Sequence, residues 1–152
     1  MTLPLPVKKN KYGERVADIS VDKYYTQIFE EVLEAHEESV IGLADYLEAE
    51  ELVDVIACCI TRFDILGFKD YKLNKVRGAG NVDANFYAHL TQQVAEAYTA
   101  TKKEPIIEFV ELAGIINVCR VRLEYLGFNE DKRQKLYDRV NTKNRKRGYF
   151  DD

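Results

Sequence analysis

Five acidic residues are placed where chemistry is possible: Glu30, Glu31, Glu34, Glu51 and Asp54. Glu30-Glu31-Val32-Leu33-Glu34 sits in an apolar pattern that includes Tyr25, Ile28, Phe29, Val32 and Leu33. Glu51-Leu52-Val53-Asp54 sits in another, with Leu52, Val53, Val55, Ile56 and Ile60. These recurrences at three and four residues are those of amphipathic helices. Residues three or four apart on a helix share a face, so Glu31 and Glu34 form one carboxylate pair, with Glu30 and Glu34 as a second option. Glu51 and Asp54 form another pair. If the two helices pack antiparallel, the pairs meet. Carboxylates gathered in this way repel and lose solvation, and the arrangement is stable only around a cation. Hard oxygen ligands with incomplete protein coordination suit Mg²⁺, which keeps waters and accepts phosphate oxygens, with Mn²⁺ as the alternative. A solvated Glu-rich surface is the competing account. Against it, Asp54 interrupts a strongly apolar segment, and Asp is a poor residue for a helix interior.

The elements that must position these acids follow from caps and breakers. A first helix starts near Ser20 or Asp22 and runs to about Ser39, with Gly42 in the connection. Asp45-Tyr46-Leu47-Glu48 reads as a capping box opening a second helix that ends at Leu66-Gly67. After a turn-like stretch at Arg77–Asn81, a third helix begins after Asn81 or Asp83 and ends near Thr101. Glu104-Pro105 opens a fourth, which ends at Leu126-Gly127. The fifth runs from about Glu130 to Val140 or a little beyond, and a basic tail from Asn141 to Phe150 follows. Pro4 and Pro6 disfavour helix in the first 19 residues, which read as an extended arm made basic by Lys8, Lys9 and Lys11. That arm packs on the body or stays loose, and a phosphate-binding arm is the alternative. No strand pattern competes.

The two halves of the chain resemble each other. Shifted by 60, residues 51–70 overlie 111–130, and eight of the twenty pairs are identical: Glu51/Glu111, Leu52/Leu112, Ile56/Ile116, Cys59/Cys119, Arg62/Arg122, Leu66/Leu126, Gly67/Gly127 and Phe68/Phe128. Shifted by 62, Tyr25/Tyr87, Val32/Val94, Glu34/Glu96 and Ala35/Ala97 agree. Each half ends in Asn-x-x-Arg-Gly, at Asn74–Gly78 and Asn144–Gly148. The chain therefore reads as a duplicated helical hairpin whose halves bury their apolar stripes on each other. The copies diverge at the acids. Glu30 and Glu31 become Gln92 and Gln93, and Asp54 becomes Gly114, while Glu34 and Glu51 persist as Glu96 and Glu111. One working site and one degenerate site are expected.

The pattern Glu30-Glu31-x-x-Glu34 followed by Glu51-x-x-Asp54 resembles the EExxE…ExxD signature of the all-α NTP pyrophosphohydrolases. That superfamily includes the MazG-like proteins, dimeric dUTPases and phosphoribosyl-ATP pyrophosphohydrolases. The resemblance implies Mg²⁺-dependent cleavage of an NTP or dNTP, between its α and β phosphorus atoms, to a monophosphate and pyrophosphate. Glu31, Glu34, Glu51 and Asp54 are then the metal ligands. Glu30 or Glu34 orients or deprotonates the attacking water. Basic residues after the second acidic helix contact phosphates in MazG-like proteins. The candidates here are Lys72, Lys75 and Arg77 after the first hairpin, and Lys143, Asn144, Arg145 and Arg147 in the tail. Which set serves the site is open, and a pseudo-twofold axis would let the tail reach the first copy. A catalytically silent nucleotide-binding or protein-interaction module on the same bundle is the alternative function.

Composition bounds the rest. A chain of 152 residues, 46% hydrophobic and 32% charged, suits one globular domain. A net charge of −4 argues against nucleic-acid polymers and anionic membranes as partners. No apolar run reaches membrane-spanning length and no signal-peptide pattern opens the chain, so the cytoplasm is expected. The two histidines, His36 and His89, and the three cysteines, Cys58, Cys59 and Cys119, lack zinc-site spacing. GxSxG, P-loop and GxGxxG motifs are absent. The expectation is thus an all-α single domain over residues 1–152. It comprises an arm (1–19), a first hairpin carrying the site (20–80) and a second, degenerate hairpin with a basic tail (81–152). Together they make a four-helix-bundle-like core plus a short C-terminal helix. Homodimerisation stays open, since the duplication either replaces a dimer or builds half of a larger one.

Overall fold

The computed structural model describes residues 3–73 and 85–152. Five helices form among them: α1 (Val21–Ile41), α2 (Asp45–Leu66), α3 (Phe86–Ala100), α4 (Pro105–Tyr125) and α5 (Glu130–Lys146). No strand forms among the described residues, only an isolated bridge between Lys9 and Arg15. The protein is all-α. Helix α1 packs on α2 and α3 on α4, and the two hairpins join through α2–α4 and α1–α3 contacts. Helix α5 docks on α2. No helix among the described residues is long and apolar enough to cross a membrane.

Local chemistry explains most boundaries. The Ser20 hydroxyl accepts a hydrogen bond from the Lys23 amide at 3.1 Å and caps α1, and Gly42 ends that helix at φ 65°. Helices α2 and α4 end alike. Phe68 N–H donates to Phe63 O and Phe128 N–H to Leu123 O, each at 2.9 Å, over Gly67 and Gly127 at φ 89° and 97°. Two boundary expectations need amendment. The Asp45–Glu48 capping box does not form: Ala44 is the N-cap, with no side-chain cap, and Glu48 turns into the core. Helix α5 continues to Lys146, because Leu136, Tyr137, Val140 and Asn144 keep one face buried through the tail. The third helix starts at Phe86; its candidate caps Asn81 and Asp83 lie outside the described residues.

Helix α2 is the centre of the molecule, with 13 of its 22 residues buried. Two ion pairs, one buried and one with its arginine part-buried, cross from it to α4, and they are reciprocal. Arg62 on α2 donates to Glu108 on α4 through Nε at 2.6 Å and Nη2 at 3.2 Å. Arg122 on α4 donates to Glu48 on α2 through Nε at 2.8 Å and Nη2 at 3.2 Å. Each carboxylate also accepts a tyrosine hydroxyl, from Tyr25 to Glu108 at 2.6 Å and from Tyr87 to Glu48 at 2.7 Å. Each guanidinium further lies over an aromatic ring of the preceding helix, Arg62 over Tyr24 and Arg122 over Phe86. Arg62/Arg122, Tyr25/Tyr87 and Tyr24/Phe86 are the pairs of the internal repeat. Glu48/Glu108 match at the same shift of 60, three residues before Glu51/Glu111.

A buried ion pair adds little net stability, but removing one partner strands a charge. Arg62→Met is expected to cost about 3–5 kcal/mol by leaving Glu108 uncompensated. A lower urea midpoint, with part of the loss recovered on adding Glu108→Gln, is the expected result.

Candidate functional site

Helices α1 and α2 bring their acidic faces together. One carboxylate oxygen from each of Glu31, Glu51 and Asp54 lies within 4.8 Å of the others. They open into a cavity of about 260 Å³ between α1, α2, α5 and the N-terminal arm. Glu34, one turn after Glu31, walls the same cavity but does not join that three-oxygen cluster. Its Oε1 instead accepts from Lys11 Nζ at 3.0 Å. Glu30 is directed elsewhere: its Oε2 accepts from the Tyr12 hydroxyl at 2.9 Å and pairs with Lys11 at 3.3 Å. Glu30 is absent from the cavity wall.

The electrostatics record the crowding. Burial, the Asp54 and Glu34 charges raise the Glu31 carboxyl from 4.5 to about 8 against an opposing pull from Lys11. Burial, then Asp54 and Glu34, raise Glu51 from 4.5 to about 8 as well. Asp54 rises from 3.8 to about 6 through burial, restrained by the cations Lys143 and Arg147. Glu51 Oε2 is buried with no hydrogen-bond partner. An unpartnered carboxylate oxygen beside two further acids fits a hard divalent cation, and the all-oxygen donor set fits Mg²⁺ or Mn²⁺.

The basic wall comes from the end of the chain. Lys143, Asn144 and Arg147 line the cavity, carried there by the docking of α5 on α2. Lys143 Nζ donates to Glu50 Oε2 at 2.9 Å, and Arg139 Nε lies 2.8 Å from the other Glu50 oxygen. Among the remaining candidates, Arg145 lies outside the wall with its guanidinium over the Phe150 ring. Lys72 is exposed and also outside it. Lys75 and Arg77 lie outside the described residues. Two tyrosines reach the cavity wall: Tyr24, buried on α1, and Tyr149 in the tail.

Sequence reasoning missed two participants. Glu50 was overshadowed by its neighbour Glu51, although Arg139 and Lys143, four apart, would present one basic face to it once α5 is extended. Lys11 carried only a general basic-arm signal, because no periodic pattern places a non-helical arm. In the second copy, Gln93 stands for Glu31 and Gly114 for Asp54, which removes two of the three clustered carboxylates. Gln93 Oε1 is itself buried without a partner.

Comparison with known proteins found no matching family model, no matching curated protein and no matching solved structure. The functional reading therefore rests on the residues and their geometry.

The raised carboxyls make a pH prediction. Unfolded, these acids titrate near 4.5 and 3.8; folded, near 8, 8 and 6. The folded state holds more protons over that interval, so the contribution of these groups is fully present below the unfolded values and is lost as pH rises through the folded ones. Metal-free protein should show a falling melting temperature from about pH 5 to about pH 8. Mg²⁺ should raise it more at the upper pH than at the lower, and Glu51→Gln should flatten both responses. Thermal melts with Mg²⁺ and with chelator check this.

Proposed function

We propose that the protein is a Mg²⁺-dependent nucleoside triphosphate pyrophosphohydrolase of the MazG-like, all-α kind, cleaving an NTP or dNTP to a monophosphate and pyrophosphate. One observation carries the reading: a carboxylate cluster with an unpartnered oxygen and two cations, Lys143 and Arg147, share one cavity. Acids alone would fit a structural cation, and cations alone a bound anion. Their juxtaposition fits a metal–polyphosphate ligand.

Glu31, Glu51 and Asp54 are the residues that would hold the cation, with Glu34 beside them as a fourth acid. When bound, Mg²⁺ supplies charge neutralisation to phosphate oxygens and acidifies a coordinated water. Glu34 walls the cavity and Glu30 does not, so Glu34 is the better placed to take the proton of the attacking water. The water oxygen bonds to the α phosphorus, and the bond from that phosphorus to the bridging oxygen breaks. The pyrophosphate leaves with increased negative charge, which Lys143 and Arg147 stabilise. Asn144, buried at the same wall, adds an amide for orientation. On this reading the protein acts on the cytoplasmic nucleotide pool.

Pyrophosphate release from a panel of nucleoside triphosphates tests the proposal. The native chain should release pyrophosphate with Mg²⁺ and not with chelator. Glu34→Gln should lower kcat by about 10²–10⁴-fold, the span a general base contributes. Nucleotide binding by the native chain without release from any nucleotide would favour the silent binding module instead.

A further inference from the structure

We propose that Lys11 is a substrate-binding residue of this site, presented by the N-terminal arm as a fixed cation for one end of a polyphosphate chain whose other end meets Lys143 and Arg147. The assignment rests on the polyphosphate reading of the cavity and deepens it.

The arm is a built structure. Asn10 Oδ1 accepts from the Tyr12 and Glu14 amides at 3.0 and 2.9 Å, and the Asn10 amide donates to Glu14 O at 3.0 Å. Gly13, at φ 75°, closes this turn by donating to Asn10 O at 3.0 Å. The positive φ suits a glycine. The arm is also tied to the body. Val7 N–H donates to Thr61 Oγ1 at 3.0 Å, and Lys8 and Lys9 N–H both donate to Tyr149 O, at 2.6 and 3.0 Å. Glu14 pairs with Lys23 of α1. The turn that carries Lys11 is thus held against α1 and against the end of the chain that carries Arg147.

Its side chain is held as well. Lys11 Nζ lies 3.0 Å from Glu34 Oε1 and 3.3 Å from Glu30 Oε2. Tyr12 braces Glu30 by donating to its Oε2 at 2.9 Å. An ammonium has three N–H donors, and two carboxylate partners leave one over. The Lys11 side chain is 36% exposed and walls the cavity. Although burial pulls Lys11 down, the hydrogen bond with Glu34 and the Glu31 and Glu34 charges outweigh it and keep it protonated.

Cations from two separate elements, Lys11 of the arm and Lys143 with Arg147 near the end of α5, therefore line the cavity that holds Glu31, Glu51 and Asp54. Lys11 is held by the acids of α1, whereas Lys143 is held by Glu50 of α2. A single phosphate needs one such group. A chain of phosphates lying along the carboxylates uses both, and pre-positioned donors bind it without further ordering.

Isothermal titration with inorganic tripolyphosphate, orthophosphate and Mg²⁺ alone separates the possibilities, using the native chain, Lys11→Met and Lys11→Arg. With Mg²⁺ present, the native chain should bind tripolyphosphate more tightly than orthophosphate. Lys11→Met should weaken tripolyphosphate by about tenfold, the scale of one charge-assisted hydrogen bond, and Lys11→Arg should retain most of the affinity. Affinity for Mg²⁺ alone should not fall in Lys11→Met, since the variant leaves the site more negative. The assignment is overturned if tripolyphosphate affinity is the same in Lys11→Met. It is equally overturned if the native chain does not bind tripolyphosphate, or if Mg²⁺ affinity falls in parallel. Lys11-dependent binding without hydrolysis of any nucleotide would sink the enzyme reading and leave this assignment standing.

Discussion

The reciprocal ion pairs between α2 and α4 set the frame on which everything else is placed. Glu48 and Arg62 lie at either end of α2, and each meets its repeat-related partner, Arg122 and Glu108. Satisfying both at once admits one register of the two hairpins, because a slip that kept one pair would strand two charges at the other. A hydrophobic interface alone would tolerate small slides. At about 100° per residue, Glu51 and Asp54 project from α2 about a sixth and a third of a turn away from the Glu48 direction. Fixing the rotation of α2 toward α4 therefore also aims its acids at α1.

The same helix then carries a second, opposite design. At the α4 face every charge has its partner. At the α1 face three carboxylates are crowded, their pKa values pushed up, and one oxygen of Glu51 has none. Folded proteins rarely leave buried polar atoms unsatisfied. Crowded, charge-raised carboxylates at one cavity, beside paired charges on the α4 face of the same helix, are the pattern of a binding site. The two ends of the chain complete it. Arm and tail are joined by hydrogen bonds at Tyr149 and supply Lys11, Lys143 and Arg147 to a cluster that α1 and α2 begin.

Much of this is legible in the amino-acid sequence. Helical periodicity, the glycine stops and Pro105 located five helices, since those signals are local. The internal repeat predicted paired hairpins, and the acid spacing placed Glu31, Glu34, Glu51 and Asp54 around one cavity. What stayed hidden depended on distant partners. Asp45 and Glu48 have the spacing of a capping box, but Glu48 is drawn inward by Arg122, 74 residues away in sequence. Helix α5 looked short because its mean character is strongly polar; only its thin buried stripe, ending at Asn144, keeps it regular. Glu34 departs from its neighbours because a lysine from the arm holds it, and no periodicity announces such a contact. The approach of Lys143 and Arg147 to the acids is a matter of topology, set by the docking of α5 on α2, and the first hairpin's Lys75 and Arg77 lie outside the described residues.

Glu31, Glu51 and Asp54 are proposed to hold a divalent cation between α1 and α2. Crystals soaked in Mn²⁺ and measured at the manganese absorption edge test it most directly. One strong anomalous peak within coordination distance of all three carboxylates, lost in Asp54→Asn crystals, is the expected result. An ordered site with no peak at millimolar Mn²⁺, or a peak bound only by surface acids, would contradict it.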